Sequence, residues 1–348
     1  MEKSKNRVVY FDILNIIAIF AVVALHCNGI VHINPNIRAW NSSLIMECIF
    51  YFAVPLFFML SGAKLIHYRE KYDTKTFMKK RVVKVLIPFM FWIAFMFIWK
   101  IATKQLDIQN FKTFKDWINA FFANKEEGTY YFLFDILGLY ITIPLLSFLT
   151  KKEHRNTLWL TILIYFIFNA FLPNILGLFG IQYNSSLSLQ IGGYCVYAIL
   201  GYLLSTQNIE RKYRIIVYVG AIIGLIYRYT TTFILSKEAG QVVTTTWSYF
   251  SWHCMLLASA VFLLVKNSKV EELLKGKDKI INILAKIANC SFGVYLTHLI
   301  IKYYEIKLLN LDEYTWQFRT FGILSTYLIS LAIVYILKKI PIIKKIVA

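Results

Sequence analysis

The sequence predicts an all-α membrane protein of about ten transmembrane helices, with both termini in the cytoplasm. Apolar residues make up 58% of the 348 residues, and the mean hydropathy is +0.56, which is more than a soluble core absorbs. Near-continuous apolar runs recur along the chain, for example at 82–99 and 321–337. Each is close to the roughly 20 residues that cross a hydrocarbon core. Short alternating segments, which would favour a barrel, are lacking.

The helices themselves are predicted from hydropathy and turn residues. They lie at residues 8–31, 44–66, 82–101, 129–149, 157–176, 190–205, 214–235, 246–266, 280–303 and 319–337. With the N-terminus inside, most of the 38 Lys and Arg residues fall in the inner loops and the helix ends beside them. Positive charge concentrates on the cytoplasmic side of membrane proteins, so this distribution favours an even number of helices.

Charge and cysteine content narrow the class of protein further. The formal net charge is +19, but the basic residues form short blocks between apolar runs, so nucleic acid is not an expected partner. The five cysteines lack paired spacing and indicate neither a disulfide framework nor a metal site. The simplest partition is one integral-membrane domain over residues 1–348, without a fused extracellular hydrolase-like domain.

Ionisable side chains inside spanning segments are costly, and they therefore indicate function. Here they fall at one level, in the outer half of the membrane, when position along each helix is converted to depth at about 1.5 Å per residue. They are His26, Glu47, Asp135, Arg228, His253 and His298. Six such groups at a similar depth predict a polar vestibule that opens to the outside.

The first helix carries a polar stripe. Asp12, Asn15 and His26 are separated by intervals that return to nearly the same face of a helix, so the stripe is expected to face the bundle interior. His26 would lie near the outer leaflet and Asn15 near the cytoplasmic one. A lone intramembrane histidine has two interpretations at this stage, a hydrogen-bonded packing residue or a catalytic group.

The second helix supplies Glu47 at the depth of His26. Pro55 and Gly62 follow, and they predict either a bent, locally opened helix or an ordinary kink. Eight basic residues lie directly after them: Lys64, Arg69, Lys71, Lys75, Lys79, Lys80, Arg81 and Lys84. This basic cluster suits a phosphate-bearing ligand, and it is equally explained as a topology signal.

Several segments resemble one known family. Residues 11–26 (FDILNIIAIFAVVALH) closely resemble the first helix of the membrane acyltransferase 3 family. Residues 55–62 (PLFFMLSG), 86–92 (LIPFMFW) and 130–140 (YYFLFDILGLY) resemble its second to fourth helices, and 291–298 (SFGVYLTH) resembles a later landmark. The segments occur in the family's order along almost the whole chain, which is more specific than any single motif.

The resemblance implies ten helices in a bacterial cell membrane. It also implies transfer of an acetyl or other short acyl group from cytoplasmic acyl-coenzyme A to a hydroxyl of a carbohydrate, which would be a surface polysaccharide, peptidoglycan or a lipid-linked sugar. No permanently bound cofactor is expected, and membrane lipids are the other expected contacts. The oligomeric state is not determined by the sequence.

One position departs from the family's pattern. The family signature is an arginine and a histidine separated by ten residues, and His26 matches the histidine whereas Asn15 occupies the arginine position. Asparagine lacks the charged fork that holds phosphate. Lys64, Arg69, Lys80 and Arg81, with Asn15, are therefore the candidate residues for binding the donor.

Acyl transfer to a hydroxyl needs a base for the alcohol proton, a role that imidazole suits at neutral pH. His26 is the predicted base, and Glu47 is predicted to orient its ring and to stabilise the imidazolium. Asp135, Arg228, His253 and His298 would line the acceptor vestibule. The rival hypothesis is a non-enzymatic transporter or flippase for a glycan or lipid-linked sugar, which inverted repeats would favour; no clear symmetry between the halves is visible.

Overall fold

The computed structural model describes residues 7–123, 128–341 and 343–347. The described chain is 77% helical, and no strand occurs within it. Its α-helices are α1 Val9–His26, α2 Trp40–Phe50, α3 Ala53–Leu65, α4 Thr74–Arg81, α5 Ile87–Ala102, α6 Phe114–Ala123, α7 Tyr131–Leu146, α8 Arg155–Tyr165, α9 Leu172–Leu178, α10 Tyr194–Thr206, α11 Arg211–Ala239, α12 Trp252–Lys266, α13 Val270–Leu273, α14 Asp278–Leu309 and α15 Ile323–Leu337. The all-α prediction is confirmed.

Several of these helices join into longer apolar spans. Among the described residues, 9 helical spans are long and apolar enough to cross a bilayer. They are Val9–His26, Trp40–Glu70, Thr74–Ala102, Gly128–Thr150, Lys152–Leu178, Arg211–Ala239, Trp252–Leu273, Asp278–Leu309 and Phe318–Leu337. The remaining predicted helix is the shorter, buried α10. The chain is a multi-pass membrane bundle; the inward position of its termini stays a prediction.

The first helix is shorter than predicted. It ends at His26, and a 3-10 turn follows at Gly29–His32, whereas hydropathy extended the helix to residue 31. Two polar contacts accompany the end of the helix. The Asn28 amide donates a hydrogen bond to the Ser43 carbonyl of α2 at 2.9 Å, and the Asn28 side-chain oxygen accepts one from the Ser43 hydroxyl at 2.7 Å. These contacts turn the chain back towards α2.

The second predicted helix is interrupted beside Pro55, where the sequence left open a locally opened helix or an ordinary kink. Helix α2 ends at Phe50 and α3 begins at Ala53. Proline has no N–H to donate to the carbonyl four residues earlier, and that carbonyl, of Tyr51, instead lies 3.7 Å from the Cys254 thiol.

Gly62 serves a different purpose from the predicted bend. A Cβ at Gly62 would lie 1.9 Å from the Ala198 carbonyl oxygen of α10, and a Cβ at Gly201 would lie 2.0 Å from the Met59 carbonyl oxygen of α3. The two glycines therefore permit a close backbone crossing of α3 and α10. Small residues at such crossings are typical of membrane bundles, where packing rather than hydrophobicity drives association.

We expect Gly62→Ala to destabilise the protein by at least the 1–3 kcal/mol typical of overpacking, because the added methyl group meets backbone that has no room to shift. The measurement is the thermal unfolding midpoint of protein purified in detergent. Gly138→Ala in α7 is the matched control, since a Cβ there meets nothing within 4 Å. Equal midpoints for the two variants would contradict the close crossing.

Helix α14 is the element that positions the site. It is 32 residues long, and α1 packs between it and α3. Leu14, Ile19 and Val23 of α1 are fully buried in the shared core. Because α1 is enclosed by these helices, its polar residues contact protein rather than lipid.

The basic segment after α3 is ordered by its own capping contacts. Asp73 caps the N-terminus of α4 and accepts a hydrogen bond from the Thr76 backbone N–H at 2.9 Å. Hydrogen bonds from the Thr76 side chain and the Thr76 backbone N–H lower the pKa of the Asp73 carboxyl, as is expected for an N-cap near a helix dipole. Helix α4 then carries the basic residues 79–81 towards α5 in a fixed orientation.

Candidate active site

A cavity of about 310 Å³ lies beside the C-terminal end of α1. Apart from tyrosines, its titratable lining residues are His26, His32 and Glu47, and most of the other lining residues are aromatic. The volume is at the lower end of small-molecule pockets, and an apolar wall with a few polar groups is typical of them. The cavity brings the predicted base and the predicted carboxylate to one site.

His26 is paired with a second histidine. Its Nδ1 lies 2.6 Å from Nε2 of His298, and the two rings are stacked with an interplanar angle of 8°. His298 Nδ1 lies 2.7 Å from the carbonyl oxygen of Tyr295. Helix α14 thus supplies the residue that holds the His26 ring.

The contacts determine where the protons lie when both rings are neutral. A carbonyl oxygen only accepts, so His298 Nδ1 carries a proton and its Nε2 is an acceptor. His26 Nδ1 must then be the donor in the short contact between the rings. His26 Nε2 is left with the lone pair, in a side chain that lines the cavity. That is the state required of a general base.

Lys302 holds the backbone of the same residue. Helix α1 ends at His26, so the His26 carbonyl has no intrahelical donor. Lys302 Nζ supplies one at 3.0 Å, and it also pairs with Glu313 at 2.7 Å. Lys302 lies one turn beyond His298 on α14 and therefore shares its face. One helix fixes both the ring and the main chain of His26.

Glu47 has a different partner from the one predicted. Its Oε1 lies 3.6 Å from Nη2 of Arg228, and the Arg228 guanidinium lies 3.2 Å from the centre of the Tyr51 ring. His298, and not Glu47 as predicted, makes the contact with His26 Nδ1 that orients the His26 ring. Glu47 does line the same cavity as His26, so its charge still faces the site.

The six ionisable groups do not share one vestibule. Asp135 lines a second cavity of about 390 Å³, together with Gly138, Gly192 and Tyr194. Arg228, His253 and His298 are buried, with exposed fractions of 1%, 3% and 1%. The prediction placed all six at one depth, but depth does not determine which helix face a residue occupies, and the faces here point to different spaces.

The N-terminal half of the α1 stripe is bound to α14. Arg7 pairs with Asp12 at 2.5 and 2.9 Å and reaches the Asn289 side chain at 3.3 Å. The Asn15 amide donates to the Ala288 carbonyl at 3.0 Å. Asn15 and His26 therefore both contact α14, which confirms that they share a face of α1. Asn15 acts here as a link between helices.

Four basic residues of the predicted donor site lie against aromatic rings. Lys64 is 5.3 Å from the centre of the Phe11 ring, and Lys80 is 3.6 Å from that of Tyr72. Arg69 donates to the Ser147 hydroxyl at 2.6 Å and stacks on Phe148. Arg81 lies over Phe77 and Tyr140, and its buried Nε has no hydrogen-bond partner among the described residues.

Two further residues, His32 and Lys302, contribute to the site and were not predicted from the sequence. His32 lines the cavity and packs edge-on against Trp247, and desolvation lowers the pKa of its ring. Lys302 was missed because it is predicted near a helix end, where lysines are common. Throughout the described chain, no three His, Cys, Asp or Glu side chains converge as metal ligands would.

Comparisons with known proteins identify the family. A family model described as an acyltransferase domain matches residues 8–335, nearly the whole chain. No curated protein and no solved structure matches the chain. The matched range includes His26, His298 and every helix that forms the cavity. The chain therefore belongs to the membrane acyltransferase 3 family.

Proposed function

We propose that this membrane acyltransferase moves an acetyl or other short acyl group from cytoplasmic acyl-coenzyme A to a carbohydrate hydroxyl at the outer face of a bacterial cell membrane. The acceptor would be a polysaccharide, peptidoglycan or a lipid-linked sugar. The observation that carries the proposal is the His26–His298 contact of 2.6 Å beside the aromatic cavity. When both rings are neutral, this contact leaves His26 Nε2 as an acceptor for an alcohol proton.

In the proposed reaction His26 Nε2 removes the proton of the acceptor hydroxyl while its oxygen attacks the thioester carbonyl. The oxygen–carbon bond forms, the carbon–sulfur bond breaks, and the departing thiolate takes the proton back from His26. While His26 is an imidazolium, its Nδ1–H still donates to His298, and the carboxylate of Glu47 in the same cavity favours the charge. His26 is therefore neutral again at the end of each reaction cycle.

The donor would reach His26 from the cytoplasmic side. Its phosphates would be bound by the basic cluster, with Lys64, Arg69, Lys80 and Arg81 as the nearest candidates. Arginine binds phosphate through its planar fork. The acyl-carrying arm would then pass along α1, where Asn15 lies between the two ends.

We expect Arg81→Gln to raise the apparent KM for acyl-coenzyme A about 10- to 100-fold, since a hydrogen bond to a charged group is worth about 1.5–3 kcal/mol. Arg69→Gln should have a smaller effect, because Arg69 is already bonded to Ser147. Exposed Lys75 of α4 gives the control, as Lys75→Gln removes a charge from the same segment. Equal effects of all three changes would mean that the segment acts only through its total charge.

The proposal is tested with purified protein in liposomes, labelled acetyl-coenzyme A on one side and candidate glycans on the other. Label appearing on the glycan, dependent on His26, is the expected result. Movement of unmodified glycan across the bilayer, independent of His26 and without labelled product, would instead establish a transporter and end the acyltransfer proposal for this chain.

A further inference from the structure

A groove lies on the surface of the bundle between α14 and α15. Its volume is about 290 Å³, and its apolar lining residues are Ile283, Ile287 and Cys290 of α14 and Leu328, Leu331 and Ala332 of α15. Ile283 and Leu328 have exposed fractions of 55% and 49%, so the groove is open along one side. Both helices belong to spans that are long and apolar enough to cross a bilayer. The hydrocarbon core of a bilayer holds no water, so the open side of the groove meets lipid chains.

Three lysines lie at one end of this groove, where α15 stops. Lys338 follows the last residue of α15, and its Nζ donates to the Asn289 carbonyl of α14 at 2.5 Å. Lys286 lines the groove three residues before Asn289. Lys339 lies 4.9 Å from the centre of the ring of Tyr335, which also lines the groove. Both helices thus bring positive charge to the same end of an apolar groove.

The charge at this end of the groove is not balanced by acidic side chains. None of the three ammonium groups is paired with a carboxylate in the described part of the chain. Residues 338–345 contain four lysines and no Asp or Glu. An anionic lipid is attracted to lysines near the membrane surface, and each lysine strengthens its binding about fivefold. The end of the groove therefore favours a negatively charged headgroup over a neutral one.

We propose that this groove binds one anionic phospholipid, with an acyl chain between α14 and α15 and the phosphate at Lys286 and Lys339. A phospholipid uses both parts of the groove. A soluble phosphate would leave the apolar walls uncovered, and an uncharged hydrocarbon would leave the lysines without a counter-ion. Lys338 retains donors for the same phosphate, because an ammonium group has three N–H bonds. The lipid lies against α14, the helix that positions the candidate active site, and its binding does not depend on the proposed function.

The test measures which lipid occupies the groove. The full chain is placed in phosphatidylcholine nanodiscs that contain a trace of either phosphatidylglycerol or phosphatidylcholine with a photoreactive group on one acyl chain. After illumination, mass spectrometry maps the labelled peptides. We expect both probes to label residues 283–290 and 328–335, and phosphatidylglycerol to label them about tenfold more strongly. This preference should fall as salt is raised, because salt screens charges at the membrane surface.

Charge and shape at the groove make separate predictions. Lys286→Gln and Lys339→Gln should each lower the labelling by phosphatidylglycerol about fivefold and leave the labelling by phosphatidylcholine unchanged. Ala332→Phe places a ring in the groove and should lower the labelling by both lipids. The matched controls are Lys307→Gln, at the other end of α14, and Ile329→Phe, exposed on α15 outside the groove. Neither control should change the labelling of the groove by either lipid.

Equal labelling of these peptides by the two lipids would overturn the inference, and so would a preference that survives in the double variant of Lys286→Gln and Lys339→Gln. Absence of label from both peptides would overturn it as well, since something else, for example a second copy of the chain, would then cover the groove. All five substituted residues are exposed, so the variants should fold. Labelling by phosphatidylcholine checks that the groove remains open in the two charge variants.

Discussion

His26→Ala is expected to lower the rate of acyl transfer by about 10² to 10⁴, the usual contribution of a positioned general base. The variant should still insert and fold, because His26 is only partly buried at the end of α1. Binding of acyl-coenzyme A should be nearly unchanged, since the donor's phosphates would be held at the other end of the helix. The measurement is labelled acetyl transfer at saturating donor and acceptor.

The controls separate chemistry from folding. His154→Ala removes a histidine that lies outside the cavity, next to Glu153, and should leave the rate unchanged. His26→Gln keeps a polar side chain without a suitable base, and it should not restore transfer. A His26→Ala protein with wild-type turnover would assign His26 to packing, the alternative that the sequence left open.

His298→Phe is expected to lower kcat by about 10²-fold with little change in either KM. The change removes the acceptor for His26 Nδ1–H, so the ring loses both its orientation and its preferred tautomer. Loss of the group that orients a catalytic imidazole commonly lowers the rate by this factor or more. His298→Gln offers a carbonyl oxygen at a similar position and should recover part of the rate. Turnover is measured as for His26.

A merely structural role of His298 predicts a different pattern. Both His298 variants would then lose stability and substrate affinity together, and the glutamine would show no kinetic advantage over the phenylalanine. The pH dependence of kcat gives a second readout, because loss of the Nδ1 acceptor alters the ionisation of His26 itself. Identical pH profiles in His298→Phe and the wild type would contradict a positioning role.

Much of the architecture could be predicted because the bilayer restricts the choice of structures. Apolar length gave the spans, and the interruption beside Pro55 followed from the missing proline N–H. The end of α1 was predicted too late: hydropathy carried the helix to residue 31, past Asn28 and Gly29, which are residues typical of a helix end. In the structure Asn28 forms a pair of hydrogen bonds with Ser43 of α2, a long-range contact that hydropathy cannot reveal.

The site could be predicted only in part, for a similar reason. Periodicity along α1 correctly put Asn15 and His26 on one face, but it does not say which helix that face meets. The answer is α14, and His298 is 272 residues away from His26 in the chain. Depth alone grouped Asp135 with His26, whereas the structure places Asp135 at a separate cavity. Gly62 was read as a point of bending because a single sequence does not show that Ala198 crosses it.

The central claim is that His26 is a neutral base with its proton on Nδ1, held by His298. Nitrogen NMR of the protein in bilayers with ¹⁵N-labelled histidine, assigned by the signals lost in His26→Gln, measures this directly. We predict a protonated Nδ1 and an unprotonated Nε2 for His26, with scalar coupling between His26 Nδ1 and His298 Nε2 across the hydrogen bond. A His26 that carries its proton on Nε2 at neutral pH, with no coupling to His298, would contradict the account.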